Sequence, residues 1–169
     1  MKGKYLYFFL IGILMIFYNS CDVSNKDNIT IKMDKETFLK ERNEWNNQNL
    51  TNYQFTYNFF NDAGPIGPVT ITIKENEIPV IEYPNQNNDH IIAENISEIY
   101  DFINGTFDFI ESVKNGTYNG YKIKSITLNI SYDTQYHYPK EVHLSTGYVE
   151  SIDGGAYYTL KIINFLELN

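Results

Sequence analysis

Between Asn52 and Phe59 the chain alternates strictly. Tyr53, Phe55, Tyr57 and Phe59 are aromatic, while Asn52, Gln54, Thr56 and Asn58 are polar. A period of two predicts a strand with one buried face. The same period recurs at Val69, Ile71 and Ile73, and at Ile126, Leu128, Ile130 and Tyr132. Ile78 to Tyr83 reads as a further strand, with Pro79 pointing to an edge or a bulge. Lys140 to Thr146 predicts a short strand with Val142 and Leu144 inward. Ala156 to Leu168 predicts a long one, apolar on both faces in places, as a central strand is. Two segments carry the helical period instead. Phe38, Arg42 and Trp45 share a face of a helix over residues 34–48, with Asp34 as N-cap. Ile96, Ile99, Ile103, Phe107 and Ile110 form one continuous apolar stripe, opened by the capping box Asn95 and Glu98 and ended by Asn115-Gly116. Asn104-Gly105 lies in mid-stripe and costs helix stability, and the sequence leaves open whether the helix kinks or breaks there.

Gly and Pro make Ala63 to Pro68 a loop, Pro84 to His90 is a polar loop, and turns are expected at Glu75–Glu77, Tyr138-Pro139 and Asp153–Gly155. The order is helix, three strands, helix, three strands. Strand runs joined by short turns predict an α+β domain: a mainly antiparallel sheet of about six strands with two helices packed on one face, order α-β-β-β-α-β-β-β.

The N-terminus follows different rules. Lys2 and Lys4 precede an uncharged run from Tyr5 to Tyr18, then Asn19, Ser20 and Cys21. The run is shorter than the roughly 20 residues that span a bilayer, and a basic start before a short apolar core is the pattern of an export signal. Ser20 before Cys21 fits a bacterial lipoprotein signal, and Tyr18 three residues before the cysteine departs from it. Residues 1–20 are therefore expected to be a signal peptide, Cys21 the lipidated residue, residues 21–33 a polar tether, and residues 34–169 one domain. The alternative is an uncleaved N-terminal anchor. The expected location is the bacterial cell envelope, with the domain on the extracytoplasmic side and held to the membrane through Cys21.

Composition sharpens this picture. The chain carries a net charge of −8, and removal of residues 1–20, which include two lysines and no acid, leaves −10. Such a surface lacks the Lys/Arg footprint of a nucleic-acid binder and has no attraction to anionic headgroups, so a covalent anchor is what would hold it at a membrane. Cys21 is the only cysteine, so no internal disulfide forms. Six Asn-x-Ser/Thr triplets occur, at Asn28, Asn49, Asn95, Asn104, Asn115 and Asn129. The Asn-rich composition of a bacterial-type chain accounts for them.

Several of these motifs, taken in order, resemble a bacterial family catalogued as domain of unknown function 6174. They are Glu44-Trp45 on the first helix, the strand Asn52 to Tyr57, Pro68-Val69-Thr70-Ile71, an amphipathic helix, Tyr132-Asp133 at a strand end, and His137-Tyr138-Pro139 before a short strand. The resemblance covers most of residues 36–168 and implies a short secreted or lipid-anchored protein with no established activity. His137 stands where the family has Gly. A Cys-x-Cys present in many members after the first strand is absent, the stretch here being Asn58-Phe59-Phe60-Asn61, and with it goes a disulfide or metal site. More loosely, the layout resembles the PepSY and beta-lactamase-inhibitor-protein type of small periplasmic domain, whose members bind other proteins.

Little in the sequence points to catalysis. Asp133, His137, Glu141 and His143 lie close together, but Tyr138-Pro139 separates them, and Glu141 and His143 fall on the solvent side of a strand. No Gly-x-Ser-x-Gly and no phosphate-binding glycine loop occurs. Tyrosines crowd the C-terminal third, and Tyr136, Tyr138 and Tyr148 are the candidates for an interaction face; half-buried strands also favour tyrosine. The expected function is thus a lipid-anchored, non-catalytic binding or structural module with a protein partner, no cofactor and no nucleic acid. A metal-dependent or hydrolytic envelope enzyme is the alternative. Mass spectrometry of the protein from its native membrane should find an acylated N-terminal Cys21; an intact Met1 would overturn the lipoprotein assignment.

Overall fold

The computed structural model describes residues 29–83, 91–152 and 155–168. Cys21, the signal segment, most of the tether, the Pro84–His90 loop and the Asp153-Gly154 turn lie outside the described residues. Ten elements follow in order: β1 (Thr30–Lys32), α1 (Lys35–Gln48), β2 (Tyr53–Asn61), β3 (Gly64–Ile73), β4 (Val80–Glu82), α2 (Ile96–Ser112), β5 (Thr117–Tyr118), β6 (Tyr121–Tyr132), β7 (Pro139–Tyr148) and β8 (Tyr158–Glu167). The fold is α+β with a mainly antiparallel sheet. Its path is β1-β6-β7-β8-β2-β3-β4, with β5 hairpinned onto β6. β8 has three strands on either side, the central place its apolar sequence predicts. β4 is an edge, as Pro79 predicts.

Eight strands replace the expected six. β1 pairs in parallel with β6, Thr30 opposite Ser125, so the residues read as the end of a tether belong to the sheet. Ile29, Ile31 and Met33 pack on the core from this short strand; three alternating residues in a polar stretch are too few to reveal the period. β5 exists because Asn119 and Gly120 both take positive φ, 49° and 83°, which makes the two-residue turn that matches strand twist. From Gly64 onward the Ala63–Pro68 segment is also strand, not loop. β3 starts at Gly64, and its irregular stretch is a bulge where the register jumps from Tyr57↔Val69 to Phe59↔Ile66. Gly67 sits there at φ 107°, and a Cβ would lie 2.8 Å from the Tyr57 carbonyl, so the bulge requires glycine.

Both helices cover one face. All five residues of the α2 stripe are fully buried, and α2 runs unbroken through Asn104-Gly105: burial of the stripe outweighs the local cost of glycine. Its start is fixed twice. Asn95 Oδ1 accepts from the Glu98 amide at 2.9 Å, and Glu98 Oε2 accepts from the Glu94 amide at 2.8 Å. The tyrosines of β2 also reach across, with Tyr57 Oη accepting from the Ile92 amide at 3.1 Å and Tyr53 Oη from the Ile96 amide at 3.4 Å. On α1, Phe38 wedges between Tyr100 and Phe107 of α2, and Trp45 meets Tyr53 and Phe165 edge-on. Arg42, between them, pairs with Asp101 of α2. The opposite face of the sheet is open and polar: Gln54 bonds Thr72, Thr56 bonds Thr70, and His143 bonds Thr159.

Phe38 is the ring that ties both helices together. Phe38→Ala should destabilise the domain by about 3–5 kcal/mol, read as a lower midpoint in urea unfolding; a change under 1 kcal/mol would show that α1 does not depend on this wedge.

Candidate functional site

The α2 stripe buries one line of the helix, and a neighbouring line stays half uncovered. Phe102, Gly105, Thr106 and Phe109 lie along it at successive turns, and they form one wall of a cavity of about 630 Å³ at one end of the sheet. The other walls come from Phe59, Asn61 and Asp62 at the end of β2, Tyr118 and Asn119 of the β5–β6 hairpin, Leu144 of β7, and Gly155 to Tyr158 leading into β8. The rings brace one another. Phe59 stacks on Tyr158 at 5.6 Å, Phe102 stands edge-on to both, and Phe109 meets Tyr118 at 5.2 Å, near perpendicular. The volume suits a small metabolite, since ligand sites span about 300–1,000 Å³.

Polar groups sit among these rings. Thr106 Oγ1 donates to the Phe102 carbonyl at 3.3 Å, so at the 2.7 Å contact between Thr106 Oγ1 and Tyr158 Oη the tyrosine donates. Asn61 Oδ1 accepts from the Ala63 amide at 3.0 Å. Asp62 is exposed at the rim and has no hydrogen-bond or ion-pair partner among the described residues. Asp62 is also the one carboxylate of the described lining, which contains no Lys, Arg, His or Cys.

The three tyrosines proposed as one face are not together. Tyr138 is buried, stacked on Phe165 at 4.6 Å. Tyr136 packs on the same ring at 4.9 Å and donates its hydroxyl to Glu167. Tyr148 stands at the far end of β7, about 30 Å away for a ten-residue strand. The clustering in sequence came from one strand running between two ends of the sheet, not from a shared surface. Tyr148 does serve the cavity: its hydroxyl accepts from the Ala156 amide at 3.4 Å, and Thr146 Oγ1 donates to the Ala156 carbonyl at 2.8 Å. Gly155 passes over the Tyr148 ring, where a Cβ would come within 2.7 Å. Phe102, Gly105, Phe109 and Tyr118 were missed as site residues; a second aromatic line beside the α2 stripe was the available signal.

The acid and imidazole residues near Tyr138 do not converge either. His137 Nδ1 lies 2.7 Å from Glu41 Oε2, His143 bonds Thr159, and Asp133 Oδ1 accepts from the Gln135 and Tyr136 amides. Among the described residues no three His, Cys, Asp or Glu side chains are grouped to hold a metal ion. A second cavity, of about 50 Å³, lies beside Asp34, Thr37 and Tyr132, whose buried hydroxyl has no partner among the described residues. It has room for a water but not for a ligand.

Burial pushes the Tyr158 hydroxyl up to about 12, partly opposed by Thr106, whose hydroxyl turns to donate to the oxygen once the phenol is ionised. The unfolded chain ionises this group near pH 10. The neutral, buried phenol therefore contributes its full stability below pH 10 and loses it as pH rises through about 12. Unfolding measured from pH 9 to 12 should show stability falling over that window, less steeply in Tyr158→Phe, which at pH 7 should cost about 1 kcal/mol. An identical slope in both proteins would contradict the assignment.

No curated protein and no solved structure matches the chain, so the looser PepSY and inhibitor-protein likeness rests on element order alone. A family match does exist, over residues 37–165, and the structure shows what its motifs do. Trp45, Tyr53, Phe55, Tyr57 and Val69 all face the core. Tyr132-Asp133 and His137-Tyr138-Pro139 are the two ends of one turn, closed by Asp133 N donating to the Tyr138 carbonyl at 2.9 Å. His137 takes φ 60° there, the left-handed conformation that glycine adopts without penalty. The match spans most of the chain, which therefore belongs to the family of unknown function DUF6174.

Proposed function

We propose that this protein is a lipid-anchored cell-envelope module that binds a small ligand in the cavity beside α2 without transforming it. The cavity carries this reading. It is walled by braced aromatic rings, its size fits a metabolite, and its described lining offers one carboxylate without a basic or nucleophilic partner. An acid–base or nucleophilic mechanism needs two such groups within hydrogen-bond reach, so the arrangement favours binding over the hydrolytic alternative.

The path of the chain agrees with an anchored receptor. β1 runs parallel to β6 from Thr30, opposite Ser125. The chain therefore enters from the side of the β5–β6 turn, and that turn lines the cavity. Eight residues lie between Cys21 and Thr30, so the nine steps of chain reach at most about 30 Å. An anchor at Cys21 would keep the cavity end of the domain near the lipid surface. Among the described residues no helix is long and apolar enough to cross a membrane.

Small-molecule fractions extracted from the native envelope should raise the Tm of the full-length protein by several degrees in at least one fraction. The absence of any rise across all fractions would count against a binding module.

A further inference from the structure

Gly105 has no structural reason to be glycine. It lies within α2, where glycine costs about 1 kcal/mol against alanine. Its φ is not positive, and a Cβ built on it meets nothing within 4 Å. Gly67 and Gly155, by contrast, are held by close backbone or ring contacts. What Gly105 does is keep the wall between Phe102 and Phe109 free of a side chain, so that the cavity beside these rings stays open.

Charge then identifies the occupant. The described lining contains the Asp62 carboxylate and no basic group, and the whole chain carries −8. An anion would meet repulsion at the rim and from the surrounding field. A cation would meet the unpaired Asp62 carboxylate and the faces of Phe and Tyr rings, whose quadrupoles attract positive charge, quaternary ammonium groups in particular. We infer that the cavity beside Gly105 is a binding site for an organic cation, an amine or quaternary ammonium with an apolar body seated against Phe102 and the Phe109–Tyr118 pair and its charge toward Asp62. The inference rests on the proposed reading of the cavity as a ligand site and adds the chemistry of the ligand.

The test is a titration of the full-length protein in a neutral maltoside detergent, followed by amide NMR shifts, with three probes of similar size: benzyltrimethylammonium, benzyl alcohol and benzenesulfonate. The cation should give saturable shifts at Gly105 and Asn119, with at least tenfold higher affinity than either other probe. Asp62→Asn should weaken it about tenfold. Gly105→Leu should abolish it while raising the Tm, which separates loss of binding from loss of fold. Equal affinity for the neutral or anionic probe, or an unchanged affinity in Asp62→Asn, would overturn the cation assignment and leave the cavity a ligand site. No saturable shift with any probe, or full binding by Gly105→Leu, would overturn the site itself.

Discussion

The fold depends on β2. Its inward residues Tyr53, Phe55, Tyr57 and Phe59 are all buried, and it lies between β8 and β3 in the middle of the sheet. Two of the same side chains then reach past the core with their hydroxyls, Tyr53 to the first amide of α2 at Ile96 and Tyr57 to the Ile92 amide in the segment leading into it. Tyrosine is what allows this, since it supplies a large apolar body and a polar tip in one residue. Amides at a helix start have no partner within the helix, and β2 supplies one for Ile96. The strand that forms the floor of the core thus also fixes where the main helix begins, and α1 is held through Trp45 on Tyr53 and Phe38 on α2.

Covering one face of a wide sheet with only two helices has two consequences. The far face must tolerate water, and it does so with hydroxyl and amide pairs across neighbouring strands instead of apolar contacts. At the end where α2 leaves β2 and β8, the cover is incomplete, and aromatic side chains that would otherwise complete the core line an open cavity. The proposed site is therefore a margin of the core and not a separate appendage. Tyr158 serves both, stacked on Phe59 and bonded to Thr106 beneath the cavity. Retaining glycine at position 105 sacrifices some helix stability there, a local conflict of the kind found at functional sites.

Apart from the amphipathic helix α2, which walls the cavity, the family motifs lie away from it, in the packing of α1 on β2, in β3 and in the β6–β7 turn. They maintain the fold, and His137 illustrates the constraint: the turn demands a left-handed residue, and here a histidine adopts it and pairs with Glu41. The long periodic elements were legible for a simple reason. β2, the inner residues of β6 and the α2 stripe each repeat a pattern over many residues, and their apolar side chains are buried or, at Ile130 and Tyr132, partly buried against the core. β1 and β5 were not legible, because strands of three and two residues carry no measurable period and exist only through their pairing with β6. The Gly64–Pro68 stretch was read as loop because Gly and Pro usually mark one, whereas here they form a bulged strand against β2.

By itself the sequence determined the fold class, the inward faces of the main strands and helices, the central place of β8 and the family, and narrowed β4 to an edge or a bulge. These follow from local period and from the backbone limits of Pro and Gly, which do not depend on distant residues. Only the tertiary structure decided the strand order, the separation of Tyr138 from Tyr148 and the assembly of a cavity from β2, α2, β5, β7 and the approach to β8. Those are matters of which segments meet, and the free energy of their meeting lies in contacts between residues far apart in the chain.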